Sequence, residues 1–402
     1  MPASSLESLP PELLNEIFSY ITDPRTLYHL VIASPASSRL FEYPQSGPQA
    51  LDNVLSHSMA PQICAMVRGV ALIRTANAEN RRIASLKAFV EQYANPRAVK
   101  PTCPLAAPPL AQTPQHQPEG AARGILLTVR RIHHLTSACL EHYRERCLSI
   151  NPSRAVDPKI RWGEGGQKAW RQDFPGVPYQ PAPMAPPTWV EEQRVMRGFW
   201  RLQLLCDAER AIAERRLDWD FGRAEKRVLL PELVCRNFGQ KDELDTVFDY
   251  VCHLQQNATP ATNSTLLPAP PEGHRCRWPE QAQPEAPLDS VMGPVHMFGR
   301  SSLAGVFYSS LLGLFGESPV RGVPFRPFRE LGLAIWEVEK LVVLGLWEPP
   351  LDYKGVVRDY MLAMWSNGDK LFRWRSLLSP GDLAEVWVKN EERERRRALA
   401  SP

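Results

Sequence analysis

Two short stretches combine cysteine and histidine in a way that could bind zinc. Cys252-His253 and His274-x-Cys276 together supply four side chains of the types that zinc accepts as ligands. The segment between them is irregular and contains Pro268-Ala-Pro-Pro271, and an adjacent Cys-His pair differs from the usual spacing of zinc modules. We therefore predict that no metal binds here, and we find no pattern that calls for a cofactor.

Three further groups have residue types that could serve catalysis or anion binding. His133-His134 on a helix would project about 100° apart, a poor pair for one ligand, and we expect them at the surface or in a groove. Gly163-Glu-Gly-Gly166 could bind an anion through its backbone, but Glu164 would repel phosphate and no strand precedes it. Gly299-Arg-Ser-Ser302 lacks the G-x-S-x-G spacing of a nucleophile, and Ser302 is better interpreted as a helix cap. We predict no catalytic residue and no enzymatic activity.

The tryptophans could form a base-stacking surface for nucleic acid, because the chain has 11 of them. Only Arg373-Trp374-Arg375 places one between basic residues, and the formal net charge is only +3 over 402 residues. Trp200, Trp336 and Trp347 lie on apolar helical patterns and are expected in the core. The sequence therefore predicts no nucleic-acid partner.

The termini and cysteines indicate the compartment that we expect. Residues 2 to 5 show no basic start followed by an apolar stretch, and no run approaches the ~20 apolar residues of a membrane span. The eight cysteines are scattered without a C-x-x-C pair, which is typical of reduced thiols. We expect a cytoplasmic or nuclear protein with no membrane partner.

Helical periodicity dominates the chain, so we predict a mainly α fold. The first forty residues contain three predicted short helices, which start at Leu9-Pro10-Pro11-Glu12, Asp23-Pro24 and Ser34-Pro35. Each start has a proline in the first helical turn, together with the acidic Glu12 or with an N-cap residue, Asp23 or Ser34. The first helix carries one apolar stripe, formed by Leu13, Leu14, Ile17, Phe18 and Ile21. The second helix carries Leu27, Leu30 and Val31.

The rest of the chain alternates helical patterns with proline-rich segments. Further helices are predicted over 125–148, from a Thr188/Glu191 capping box past Ala211, and over 302–315, 328–347 and 382–397. We predict six segments: a three-helix unit at 5–44, a helical segment packed on it at 48–95, a disordered Pro/Ala/Gln-rich insertion at 96–123, a helical body at 124–257, a second disordered insertion at 258–290, and a helical continuation of that body at 291–402.

Residues 5 to 44 resemble an F-box. The shared pattern is a Leu-Pro start, an acidic residue two positions later, an apolar stripe, an Asp-Pro turn and a second leucine-rich helix, here Leu9-Pro10, Glu12, Leu13 to Ile21, Asp23-Pro24 and Leu27 to Val31. The third helix departs from the pattern, because Leu40-Phe41 stands where many members of the family have a tryptophan. The rest of the chain is similar in style to large fungal F-box proteins of unassigned substrate.

The resemblance implies a non-catalytic substrate receptor of a cullin–RING ubiquitin ligase. It implies that the N-terminal helices bind the Skp-family adaptor, and through it the cullin–RING ligase, while the helical body holds an unknown protein substrate. The adaptor contacts that we expect are Leu9, Pro10, Leu13, Ile17, Phe18, Ile21 and Leu30. The alternative is a helical scaffold or binding protein in which the same stripe packs against residues 48–94 and no ligase role exists.

Overall fold

A computed structural model gives the architecture of the chain. The residues that it describes are 6–76, 86–94, 107–112, 120–217, 219, 238–257, 267–274, 318–347 and 368–400. Within them the fold is mainly α-helical, as predicted. None of the described helices combines the length and the apolar character needed to cross a membrane.

Thirteen α-helices and one two-stranded sheet make up the regular structure of the described residues. The helices are α1 Pro11–Tyr20, α2 Pro24–Ala33, α3 Pro35–Phe41, α4 Ser46–Ser58, α5 Pro61–Thr75, α6 Leu86–Phe89, α7 Ala121–Leu148, α8 Trp189–Ala213, α9 Phe238–Asn257, α10 Arg326–Arg329, α11 Val338–Val343, α12 Gly368–Ser376 and α13 Pro380–Ala400. Strands β1 Ser153–Ala155 and β2 Gly176–Pro178 pair antiparallel, with Arg154 opposite Val177.

The chain divides into two compact units. Unit 1 contains Met1–Leu140, Thr188–Arg236 and Val247–Val291, and unit 2 contains Glu141–Pro187, Asn237–Thr246 and Met292–Pro402. The N-terminal helices thus belong to the same unit as α4, α5 and α8. This division follows tertiary packing rather than the order of segments along the sequence.

The predicted helix starts in the N-terminal region are confirmed. The Asp23 carboxylate accepts a 2.8 Å hydrogen bond from the backbone N–H of Thr26, and the Ser34 hydroxyl accepts one of 3.1 Å from Ser37. Proline occupies the first turn of α1, α2 and α3, where a missing N–H leaves no carbonyl without a partner. Each short helix therefore begins at a residue that the sequence defines.

Helix α4 forms the base on which the three N-terminal helices pack. The Phe18 and Phe41 rings meet edge to face at 6.2 Å between centroids. Asn53 of α4 donates from its amide nitrogen to the carbonyls of Ser19 and Ile21, both at 2.9 Å. It thereby satisfies two carbonyls at the C-terminal end of α1 that have no helical partner.

Helix α8 packs extensively against α5 in the centre of unit 1. Its capping box is present as predicted, with Thr188 accepting from the N–H of Glu191 while the Glu191 carboxylate accepts from the N–H of Thr188. The apolar side chains on its inward side are all at most 1% exposed: Val195, Met196, Phe199, Trp200 and Leu204. The same helix also buries Arg194, Arg197 and Arg201, which the sequence did not single out.

The structure describes short parts of both predicted insertions, and each part contains a buried leucine. In the 96–123 segment, residues 107–112 lie against α4: Leu110 is 3% exposed and the Ala111 N–H donates to Asp52. In the 258–290 segment, residues 267–274 include Leu267, which is 4% exposed. The disorder of the two insertions stays a prediction. The remainder of both insertions, apart from the start of α7, lies outside the described residues.

In unit 2, the two-stranded β1–β2 sheet packs against α12. The Trp162 indole N–H donates 3.0 Å to the carbonyl of Gly368, and the backbone N–H of Ala155 donates 2.7 Å to Asp369. The predicted helix over 328–347 is instead divided into α10, a run of turns and α11, with left-handed glycines at 332 and 345. The predicted helix over 302–315 lies outside the described residues, whereas α13 confirms the one over 382–397.

A candidate partner-binding face on the first helix

Half of the apolar stripe of α1 is buried inside unit 1. We define the inner face as Leu14, Phe18 and Ile21, which are 2%, 2% and 7% exposed. These side chains lie with Leu27 and Phe41 in the small core that α1 to α4 enclose. The inner face therefore fixes the orientation of α1 and offers no surface to another protein.

The other half of the stripe is open to solvent. We define the outer face as Pro10, Leu13, Ile17 and Tyr20, which lie about 90° around the helix from the inner face. Leu13 is 46% exposed and Tyr20 is 75% exposed, Pro10 is exposed, and Ile17 is half-buried. Contiguous apolar residues left in water on one side of a helix are typical of an interface.

The seven residues predicted to contact an adaptor therefore fall into two groups. Leu9, Ile17 and Leu30 are half-buried, and Pro10 and Leu13 are exposed, so all five present apolar surface. Phe18 and Ile21 are buried and can only support the others from behind. The sequence did not select Tyr20 or Leu6, which are 75% and 41% exposed, although both continue the apolar pattern of this region.

Hydrogen bonds hold the start of the chain against α3. One Glu7 carboxylate oxygen accepts 2.6 Å from the Ser34 hydroxyl, and the other accepts 2.9 Å from the N–H of Ala36. The carboxylate thus lies at the N-terminus of α3, where its charge is favourable. Together with the Asn53 contacts at the other end of α1, these bonds position the outer face before any partner binds.

Burial shifts the pKa of titratable groups in the core of unit 1. Burial raises the pKa of Cys64 to about 12 and also raises that of Asp52, against the lowering effect of Arg68. Asp52 and Arg68 form a 2.9 Å ion pair. Among the described residues no group of three or more His, Cys, Asp and Glu side chains could hold a metal ion. Cys276 of the possible zinc motif and Ser302 of the possible nucleophile motif lie outside the described residues.

His133 is buried, whereas the sequence predicts a position at the surface or in a groove. It is 4% exposed, and burial, with a smaller effect from His134, lowers its pKa to about 3. His134 is half-buried on the neighbouring face. The expected 100° separation of the two rings is consistent with one imidazole facing the core and the other facing outward.

The remaining motifs are parts of the structure of unit 2. Gly163, Gly165 and Gly166 have positive φ and form a turn. Trp374 is 2% exposed. Trp200 and Trp336 are also buried, each within its own unit, and both are 0% exposed. Arg373 is paired with Asp369 at 2.6 Å. A buried indole beside a neutralised guanidinium provides no base-stacking surface.

Comparison with known proteins finds no relative: no protein-family model, no curated protein and no solved structure matches this chain. Its function therefore has to be inferred from its own residues.

Proposed function

We propose that the chain is a non-catalytic substrate receptor of a cullin–RING ubiquitin ligase and that the outer face of α1 binds a Skp-family adaptor. The observation that supports this most is the exposure of Leu13 and Tyr20 on a helix that follows the F-box-like Leu9-Pro10-Pro11-Glu12 start. Apolar side chains cost free energy in water, and a partner that covers them recovers it.

In this proposal the adaptor contacts Leu9, Pro10, Leu13, Ile17 and Leu30. Phe18 and Ile21 keep α1 seated on α4 so that these residues face outward. A fully buried Leu or Ile contributes about 1.5 to 3 kcal/mol relative to an exposed one. Two such residues account for a large share of a micromolar affinity, which corresponds to about 8 kcal/mol.

The receptor contributes proximity rather than chemistry. The adaptor links it to a ligase that brings a charged ubiquitin-conjugating enzyme, while another surface of the receptor holds the substrate protein. A flexibly tethered pair reaches an effective concentration of about 1 mM, so transfer to a substrate lysine becomes effectively intramolecular.

The alternative, a helical scaffold without a ligase role, is supported by the buried inner face. Leu14, Phe18 and Ile21 show that part of the stripe has a purely internal use, and α1 packs on α4 as an integral helix of unit 1. The two proposals differ only in whether the outer face has a partner.

Co-purification with a Skp-family adaptor distinguishes them. We expect the full chain to retain the adaptor on a column and the double variant Leu13→Asp/Ile17→Asp to lose it. Removing two apolar contacts and adding charge should weaken binding by about a hundredfold or more.

The matched control is Asn15→Asp/Ser19→Asp, which adds the same charge to the exposed polar side of the same helix. It should retain the adaptor, and both variants should keep the helical circular dichroism of the parent at the temperature of the binding assay, since three of the four changed positions are exposed and Ile17 is half-buried. Absence of binding by the parent chain, or equal binding by both variants, would reject the adaptor proposal and favour the scaffold.

A further inference from the structure

The last helix of unit 2, α13, leaves a face with both apolar and charged residues exposed to solvent. Val388, Glu392, Arg395 and Leu399 recur at i, i+4, i+7 and i+11, so they lie on one face of the helix. All four are exposed, and the apolar members Val388 and Leu399 are 58% and 88% exposed. We call these four residues the α13 strip.

The opposite side of α13 is fixed within unit 2. Val386 and Asn390 are 2% and 3% exposed, and each precedes a member of the strip by two positions, which is about 200° around the helix. The Asn390 amide nitrogen donates 2.8 Å to the carbonyl of Arg321. On the flank of the helix, Arg171 pairs with Glu391 at 3.1 Å. Contacts within unit 2 therefore set the direction of the strip before any partner binds.

The order of residue types along the α13 strip is its own complement. The strip runs apolar, acidic, basic, apolar, so a second copy in the opposite direction places Val388 opposite Leu399 and Glu392 opposite Arg395. The spacing of four, three and four residues is that of successive d and a positions in a coiled coil. A two-fold axis that passes between residues 393 and 394 generates each pairing twice, as in an isologous dimer.

The charges of α13 favour this antiparallel arrangement. Among the described residues Arg395 belongs to no ion pair, and a second copy supplies the Glu392 carboxylate as its partner. In a parallel pair, Glu392 would face Glu392 and Arg395 would face Arg395, which opposes association. The flanking cations Lys389 and Arg396 are each paired with a glutamate of their own helix, which limits their repulsion across the axis.

We propose that the chain forms a two-fold homodimer through antiparallel packing of two α13 strips. This inference goes beyond the proposed function and does not depend on the adaptor. The paired segment, residues 388–399, is about 18 Å long, so the contact is smaller than a standard interface of about 1,600 Å². We therefore expect a weak, reversible dimer with a dissociation constant on the order of 10 to 100 micromolar.

Sedimentation velocity of the full chain tests the proposal over about 1 to 300 micromolar, a range that brackets the expected dissociation constant. Glu392→Arg and Arg395→Glu should each weaken self-association about tenfold or more, because each places like charges opposite one another across the axis. The combined variant Glu392→Arg/Arg395→Glu should form the dimer again, since both ion pairs are then reversed.

A mixture of the two single variants is the most specific measurement. Each chain then supplies the charge that the other lacks, so a heterodimer should form although neither variant pairs with itself. The matched control is Arg393→Glu, because the exposed Arg393 lies about 200° around α13 from Arg395. It makes the same change of charge away from the strip and should dimerise like the parent.

Four results would overturn the proposal. A parent chain that stays monomeric at the highest concentration would exclude a second copy as the partner of the strip. Self-association that neither single charge reversal weakens would place the contact elsewhere, and equal weakening by Arg393→Glu and Arg395→Glu would mean that net charge controls it. A combined variant or a mixture that stays monomeric would rule out antiparallel pairing. Circular dichroism of each variant ensures that a lost dimer is not a lost helix.

Discussion

Adjacent leucines on α1 lie in opposite environments, because a helix rotates by about 100° between successive residues. Leu14 is 2% exposed and Leu13 is 46% exposed. The first contributes to folding of unit 1, whereas the second can contribute only when another surface covers it. Leu14 therefore contributes to the free energy of folding, whereas Leu13 is available to contribute to the proposed binding free energy.

His133 makes the stability of the protein depend on pH in a defined direction. Its pKa in the folded state is lowered from 6.5 to about 3, chiefly by burial. Between these values the unfolded chain binds the proton and the folded chain does not, so the free energy of unfolding decreases as the pH falls. From pH 7 to pH 5 this group alone should remove about 2 kcal/mol.

The variant His133→Gln should lose this dependence. We expect it to be less stable than the parent at pH 7, because it alters a packed site, and the difference in free energy of unfolding to shrink by about 2 kcal/mol at pH 5. Urea unfolding at the two pH values measures this. The control His57→Gln changes an exposed residue of α4 and should track the parent, and a His133→Gln difference that stays constant with pH would contradict the account.

At the scale of elements, not only the helices but also a short segment between them contributes to the packing of unit 1. Residues 107–112 are attached to α4 through the buried Leu110 and through Asp52, which accepts a hydrogen bond from the N–H of Ala111. They are attached to α5 through Arg68, which donates a 3.1 Å hydrogen bond to the carbonyl of Ala107. Within this segment rich in proline, alanine and glutamine, Leu110 is buried, and Asp52 and Arg68 form hydrogen bonds with the backbone.

The variant Leu110→Ala tests this attachment. Since Leu110 is buried, we expect the free energy of unfolding to fall by about 2 kcal/mol or more. Leu127→Ala is the control, because Leu127 of α7 is 47% exposed and should cost less than about 0.5 kcal/mol. Equal, small effects of both substitutions in urea unfolding would mean that residues 107–112 are not packed in solution.

Local signals in the sequence were sufficient to predict most helices but not their partners. Asp23, Ser34 and Thr188 act within a few residues of themselves, so their caps could be predicted from spacing alone. The orientation of His133 and the burial of Arg197 depend on elements far away in the sequence, and no local pattern encodes them. For the candidate site, periodicity identified the apolar stripe of α1, but only packing on α4 decided that Phe18 and Ile21 are covered while Leu13 is not.

At the scale of the whole molecule, the N-terminal helices are not an independent module. They share unit 1 with α4, α5 and α8, and Asn53 of α4 satisfies the end of α1 directly. The face proposed to bind the adaptor is therefore supported by residues well beyond position 44. Experiments on this face need the full chain, because a fragment would expose the inner face as well.

Hydrogen–deuterium exchange of the full chain, with and without a purified Skp-family adaptor, tests the central claim most directly. Covering the outer face should slow exchange of the α1 and α2 amides, because bound helices open less often. We predict slower exchange confined to residues 9–33, and no such change in the Leu13→Asp/Ile17→Asp variant. Unchanged exchange in this segment at saturating adaptor, or protection only elsewhere in the chain, would contradict the assignment of α1 as a partner-binding helix.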